Sequence, residues 1–440
     1  MSAHMRTQVL DARVEFIARR LAVPLVLSSG TIEKVTEARA AVTVRVGSQA
    51  GTRGVEATGR GSIYLSDLWA WPDLSLSHEE RDRELRGWCD TIARRLSELC
   101  GGEAAHPLEL GLRLHHRVCE DDSIGPASTS PAIPALARAM CVSPFDAALH
   151  DAAGLALARS AFSCYDEPAE IPTVDGLFAA SGGASAAIRR MLRSSPQRAF
   201  PACVVVGQCD DAKTHLAEWV RQCGYRRVKL KLGGHDNAAD AARTVEVFRA
   251  LRDCGVAAPW ISVDTNEANP DSASVLDYLH RLQAADAAAF AALQYLEQPT
   301  GRDILRHAFD WRPVTRLKPV LLDEGLTSFA ALDAAREQGW SGFALKMCKG
   351  HSFALVAAAW AREHGLACAL QDLTNPGYSA LHAALFAAFV PTINGVELNS
   401  PQFTPAANAE WLPRLAGLLE PRDGVHRLAH EIPPGLGSSW

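Results

Sequence analysis

Two lysines stand two residues apart in the stretch R-V-K-L-K-L-G-G, Arg227 to Gly234. The alternation is that of a β-strand, with Val228, Leu230 and Leu232 on one face and Lys229 and Lys231 on the other. On an edge strand such a pair is ordinary solvated decoration. On a strand enclosed on both faces, two ammonium groups are costly unless opposite charge stands beside them. That charge is present further along the chain. Short apolar runs end in Asp264 (I-S-V-D-T-N), Glu297 (Q-Y-L-E-Q-P) and Asp323 (V-L-L-D-E-G), and a further run carries Lys346 (F-A-L-K-M-C-K-G). The last two runs close on Gln371 and Asp372, and on Glu397 and Asn399.

Three carboxylates converging on one half-buried point repel one another unless a cation joins them. All-oxygen ligation selects a hard ion, so Mg²⁺ is expected on Asp264, Glu297 and Asp323, with Mn²⁺ able to substitute. Lysines on either side of such a cation suit proton abstraction next to a carboxylate. The metal neutralises the carboxylate and the developing enediolate, and an ammonium with a lowered pKa supplies the base. Each residue alone has a plainer role: a strand-end Asp or Glu caps a helix, and a lone Lys346 snorkels to the surface. The run of three carboxylates favours the ligand reading. Lys349 is read as solvated in the following loop. Glu324 points differently from Asp323 and supports the site from behind, and Asn266, on the face of Asp264, orients that residue or the metal's waters.

From about residue 200 the chain holds eight short apolar runs: 201–207, 226–233, 260–266, 293–299, 319–325, 342–348, 366–372 and 394–400. Between most of them lie Ala-rich helical stretches such as 236–254, 329–338, 351–364 and 378–389. Eight such alternations predict an α/β fold, a (β/α)₈ barrel whose site lies at the C-terminal ends of the strands. No G-x-G-x-x-G follows the first run, which argues against an open doubly wound sheet. The first 160 residues read as mixed: strand patterns at 14–21 and 41–46 with turn glycines Gly51 and Gly54, then helices at 77–99 and 144–159. In the last of these, S-P-F-D places Pro144 just inside a serine start. The segment around Gly182 (S-G-G-A-S-A-A) is read as a linker in preference to a phosphate cradle.

With these motifs in order, the chain resembles the enolase superfamily, in its mandelate racemase/muconate-lactonizing enzyme group. The resemblance rests on A-L-H-D-A-A-G-L-A-L-A at 148–158, K-L-K at 229–231, V-D-T-N at 263–266, Y-L-E-Q-P at 295–299, L-D-E at 322–324, A-L-K-M at 344–347 and I-P-P-G-L-G at 432–437. It implies an N-terminal α+β capping domain (1–160), a modified barrel (161–404) and a C-terminal segment returning to the cap (405–440). It also implies metal ligation by Asp264, Glu297 and Asp323, with Lys231 and Lys346 as acid/base groups on opposite faces of a small carboxylate substrate. Lys229 would bind the substrate carboxylate and, as a neighbouring like charge, depress Lys231. The outcome implied is racemisation, epimerisation or cycloisomerisation, with an acid-sugar-type dehydratase or a non-catalytic metal-binding barrel as alternatives. Departures from the pattern are Gly350-His351 in place of Gly-Gly, V-E-L-N-S without the D-x-D of dipeptide epimerases, and long segments at 165–199 and between Asp264 and Glu297. Substrate contacts are expected from Ser28–Thr31 and from 62–72 with Tyr64, Trp69 and Trp71, whose aromatics equally suit packing of the cap.

Composition narrows the partners. Lys plus Arg number 44 against 50 Asp plus Glu, a net charge of -6, so nothing suggests nucleic acid. No apolar run approaches a membrane span and no signal peptide is legible. The 11 cysteines are scattered without a C-x-x-C pair, which suits reduced thiols in a cytoplasm. A homo-oligomer is expected.

Overall fold

The computed structural model describes residues 5–27, 30–47, 54–121, 124, 132–179, 182–429 and 431–439. Ser28, Ser29 and Gly51 lie outside the described residues. The N-terminal part is an antiparallel sheet of β1 (Arg6–Leu27), β2 (Gly30–Gly47) and β3 (Val55–Leu65), in that order. In β2 the alternation buries Ala38, Ala40, Val42, Val44 and Val46 on one face. That face is covered by α2 (His78–Leu99), whose start carries a capping box between Ser77 and Glu80, and by α4 (Ala135–Ala156). The short α1 (Asp67–Ala70) precedes α2, and α3 (Pro107–Glu120) lies between α2 and α4 in sequence. Helix α4 sits close on the sheet because β3 presents glycines to it. A Cβ at Gly59 would lie 2.2 Å from Ala152 N, and one at Gly61 the same distance from Pro144 O.

The sequence places the start of α4 at Pro144, but the helix begins nine residues earlier and Pro144 lies inside it. An interior proline leaves the carbonyl four residues back without its donor. Here the Ser143 hydroxyl donates to Met140 O at 2.8 Å, which satisfies that group. The S-P pair that reads as a helix start is a repaired interior position.

A short strand β4 (Ala199–Pro201) leads into a curled parallel sheet in which neighbours in sequence are neighbours in space. Its strands are β5 (Cys203–Val206), β6 (Arg227–Lys231), β7 (Trp260–Asp264), β8 (Leu293–Glu297), β9 (Val320–Leu322), β10 (Gly342–Lys346) and β11 (Ala367–Gln371). The eighth run forms a single parallel bridge, Gln371 to Glu397, rather than a strand. Its far side is closed by a side chain: Gln402 Oε1 accepts Val205 N at 3.0 Å and Gln402 Nε2 donates to Val205 O at 2.8 Å. One amide thus imitates the edge of a neighbouring strand along β5, and the sheet needs no full eighth strand to satisfy that position.

The segment around Gly182 starts a nine-residue helix, Gly183–Met191. Asp175 Oδ1 accepts Ala184 N at 2.9 Å, so a carboxylate already occupies the place a phosphate would take. At the C-terminus, β12 (Val425–Arg427) pairs with β4. The chain then runs to α4, where Asp151 Oδ1 accepts Leu436 N at 2.6 Å. All the cysteines are free. Among the described residues no helix is long and apolar enough to cross a membrane.

Candidate active site

Every residue of β6 after Arg227 is buried, so Lys229 and Lys231 do not sit on a solvated edge. Lys231 lies opposite Asp264 of β7 in the register, and Asp264 lies opposite Glu297 of β8. Asp323 follows β9 and Lys346 ends β10. The ammonium groups therefore interleave with the carboxylates. Lys229 Nζ donates to Glu297 Oε2 at 2.6 Å and stands 3.2 Å from Asp264 Oδ2 and 3.8 Å from Glu397 Oε1. Lys231 Nζ donates to Asp264 Oδ2 at 2.7 Å and to Asn266 Oδ1 at 2.8 Å. Lys346 Nζ donates to Asp323 Oδ2 at 2.5 Å.

Lys349 corrects the sequence reading. It is buried, not solvated, and its Nζ donates to Asp323 O (2.7 Å), Asp323 Oδ1 (2.9 Å) and Ala344 O (3.1 Å). The 3₁₀ turn Met347–Lys349 directly after β10 folds this side chain back beneath the strand end. Two lysines three residues apart around a strand end, both able to reach one carboxylate, were the available sequence signal.

Burial and pairing pull the charges in opposite directions. For Asp264, burial raises the pKa but Lys231 and Lys229 outweigh it and hold it down at about 2. Asp323 is likewise lowered, by Lys346 and Lys349 against its burial. Burial lowers Lys229 and Lys346, yet Glu297 raises the first and Asp323 the second, and both end above the usual lysine range. A lowered base is therefore not what this arrangement gives Lys346; its partner Asp323 favours the ammonium. Burial, reinforced by Asp323, pushes Glu324 up to about 7, and burial raises Asp372 well above the carboxylate range.

A second ring of contacts holds these groups. Asn266 N donates to Asp264 Oδ1 at 2.8 Å. Glu324 Oε1 accepts Trp69 Nε1 at 2.7 Å and Asn266 Nδ2 at 3.1 Å. Gln298 Oε1 accepts the backbone N–H of Asp323 (2.9 Å) and of Gly325 (3.1 Å), fixing the end of β9. Asn266, Glu267 and Gln298 have φ of 45°, 72° and 30°. Such left-handed backbone at non-glycine residues is strained and persists only where surrounding contacts over-determine it. It begins two residues after Asp264 and directly after Glu297.

The Gly350-His351 departure also has a structural role. Gly350 takes φ 99°, and the helix His351–Glu363 that follows is capped from the N-terminal part of the chain. Asp146 of α4 accepts Ser352 N (2.8 Å) and Ser352 Oγ (2.7 Å). His150 Nε2 lies 2.8 Å from Ser352 Oγ, Tyr165 OH bridges His150 and His351, and His351 contacts His382 at 2.8 Å. His351 is thus a link in a buried polar chain joining α4 to the loop beside Lys346 and Lys349.

The lysines open onto a cavity of about 60 Å³. Leu25, Val205, Leu373 and Phe403 form apolar parts of its wall, and Trp69, Gln371, Glu397 and Asn399 also line it. Asn399 Nδ2 donates to Glu397 Oε1 at 2.6 Å. Tyr64, Trp69 and Trp71 all belong to the core under the N-terminal sheet, and of the three Trp69 lines the cavity. A larger cavity, about 590 Å³, lies on the outer face of that sheet beside Trp411. None of the chemistry-bearing strands reaches it, so the smaller cavity is the candidate site.

The family described as Enolase C-terminal domain-like matches residues 211–440, a span that begins before β6 and takes in all of these lysines and carboxylates. The chain belongs to the enolase superfamily. Solved members of its muconate-lactonizing and mandelate-type group share the fold along nearly the whole chain. Muconate lactonizing enzyme from Pseudomonas fluorescens, complexed with muconolactone, is 20% identical over 98% of this chain and 96% of its own, with a TM-score of 0.61. An enolase from Bradyrhizobium, complexed with magnesium and mandelic acid, is 19% identical over 98% and 95%, with a TM-score of 0.61. A dipeptide epimerase from Enterococcus faecalis V583, complexed with Mg and L-Leu-L-Tyr, is 15% identical over 98% and 99%, with a TM-score of 0.63. No curated protein matches the sequence.

The superfamily's magnesium raises the question of whether these residues fit it. Among the described residues no three His, Cys, Asp or Glu side chains form a ready metal-binding group, because lysine ammonium groups pair with the carboxylates. The donor chemistry nonetheless fits a hard cation. All candidate ligands are carboxylate oxygens, and Glu297 Oε1 is buried without a hydrogen-bond partner.

Proposed function

We propose that the chain is a Mg²⁺-dependent isomerase-type enzyme that removes the α-proton of a small carboxylate and passes through an enediolate. The carrying observation is the flanking arrangement: Lys231 and Lys346 end the strands on either side of the three that supply Asp264, Glu297 and Asp323, and both line one cavity. Asp264, Glu297 and Asp323 would hold Mg²⁺, with Mn²⁺ able to substitute; the ion supplies positive charge to the substrate carboxylate and to the enediolate. Lys229, with its Nζ between Glu297 and Asp264, adds positive charge on the same side and draws the substrate carboxylate in. Lys231 and Lys346 then exchange protons with the α-carbon from opposite faces, one accepting and the other donating. Asn266 steadies Lys231 through the 2.8 Å contact. Racemisation, epimerisation and cycloisomerisation share this first step.

Solvent deuterium exchange at the α-carbon tests the reading across a panel of chiral carboxylic acids in the presence of Mg²⁺. Exchange is expected with at least one acid, and Lys231→Ala and Lys346→Ala should each abolish it on one face. Exchange that persists on both faces in either variant would remove the role proposed for that lysine.

A further inference from the structure

One side chain of the N-terminal part reaches the acid/base apparatus directly. Trp69 lies on the four-residue helix α1, and Lys346 Nζ sits 4.4 Å from the centroid of its ring. The same indole donates from Nε1 to Glu324 Oε1 at 2.7 Å and lines the cavity. An ammonium over the face of an indole is attracted by the ring's quadrupole, so the ring fixes where the charge rests.

The helix that carries this ring is clamped at both ends. From the barrel side, Arg302 Nη2 donates to Trp69 O and Arg302 Nη1 to Ala70 O, each at 3.2 Å. Arg302 is itself held by Glu267, which follows Asn266 and accepts from its backbone N (2.8 Å) and its guanidinium. From the other side, Asp67 accepts Arg81 Nε at 2.8 Å and contacts His78 Nδ1 at 3.0 Å. Trp71, two residues on, is buried in the core under the sheet. Trp69 packs in the same core, but it alone of the two also lines the cavity and meets Lys346 and Glu324.

We propose that Trp69 is a positioning residue that holds the Lys346 ammonium at its working place, so that the N-terminal part and the barrel set one proton-transfer group jointly. The proposal rests on the reading of Lys346 as the group serving one face of the substrate. A free lysine side chain has four rotatable bonds, and its useful positions are few. Asp323 fixes one direction of approach and the indole face fixes a second. Glu324, bonded to Nε1, keeps the ring from turning.

Two measurements on the full-length protein test it. The first needs no substrate. In protein carrying ¹³C at the lysine ε-position, the Lys346 ε-protons, identified by their loss in Lys346→Arg, should resonate upfield of ordinary lysines because they lie over the ring. Trp69→Leu should return the signal to the ordinary position, and Trp69→Phe should keep part of the shift. An unshifted Lys346 signal in the wild type overturns the proposal. The second measures α-deuterium exchange separately for the two enantiomers of an active acid. Trp69→Leu should slow exchange of the enantiomer served by Lys346 on the order of 10- to 100-fold, the scale of a misplaced reacting group. The other enantiomer, served by Lys231, should change by no more than about twofold, and Trp69→Phe should recover most of the loss. Equal loss on both enantiomers indicates a general structural role and overturns the proposal, as does no loss on either. Wild-type protein that exchanges no acid would sink the functional reading, and the spectrum would then decide the placement of Lys346 by itself.

Discussion

A buried lysine beside a carboxylate reads differently according to how many partners it has. Asp323 is fully buried and accepts from two ammonium groups, Lys346 at one oxygen and Lys349 at the other. Lys349 also donates to two backbone carbonyls, so it cannot leave without stranding three acceptors. Removing one partner of a buried pair costs more than the pair is worth, since the remaining charge keeps its desolvation penalty. Lys349→Met should therefore destabilise the fold by roughly 3 kcal/mol, read as a shift in the urea unfolding midpoint. A loss below about 1 kcal/mol would place Lys349 with ordinary surface lysines. The sequence made Lys229, Lys231, Asp264, Glu297, Asp323 and Lys346 legible because each interrupts an apolar strand with charge. Lys349 and Trp69 were not legible in the same way. One follows the strand in a turn, where a lysine is normally solvated, and the other packs in the same core as Trp71, so that nothing in the sequence separates the two.

At the level of elements, period-two and period-3.6 patterns located most strands and helices, while their ends depended on contacts far away in sequence. Residues 394–400 look like a strand because V-E-L alternates, yet they form one bridge. The remaining closure falls to Gln402, a position no periodicity marks. Its amide satisfies both the N–H and the C=O of Val205 and lies 3.1 Å from His215 Nε2. Gln402→Leu would leave the buried Val205 N–H unpaired, at about 1–3 kcal/mol, while Val205 O keeps its 3.0 Å contact with His215 Nε2. The expected loss is on the order of 1–3 kcal/mol, with hydrogen exchange at Val205 among the largest local increases. Protection at Val205 equal to wild type would show that the seam closes by other means. Pro144 teaches the converse: a strong local start signal fails where a neighbouring serine hydroxyl repairs the interior break.

At the scale of the molecule, the tail and the barrel are packed around histidines that burial keeps neutral. His426 of β12 lies opposite Phe200 of β4 and is fully buried; its Nδ1 contacts Leu418 O at 2.7 Å, while Nε2 has no partner. Burial lowers its pKa to about 4, against the partial opposition of the Leu418 carbonyl. His106 is likewise lowered by burial to about 4. A histidine whose folded pKa lies below its unfolded value, near 6.5, contributes its full stability above pH 6.5. As the pH falls from about 6.5 towards 4, the unfolded chain takes up a proton that the folded chain refuses, and that stability is lost. Glu324 and Asp372, raised in the folded state, act in the opposite direction over part of the same range. The informative quantity is therefore the difference between wild type and His426→Gln. Relative to the variant, the wild type should lose up to about 3 kcal/mol between pH 7 and pH 4, measured as unfolding free energy in urea at each pH. Parallel pH profiles for the two proteins would mean that His426 accepts a proton in the folded state, and that the junction of β4 and β12 is open to water.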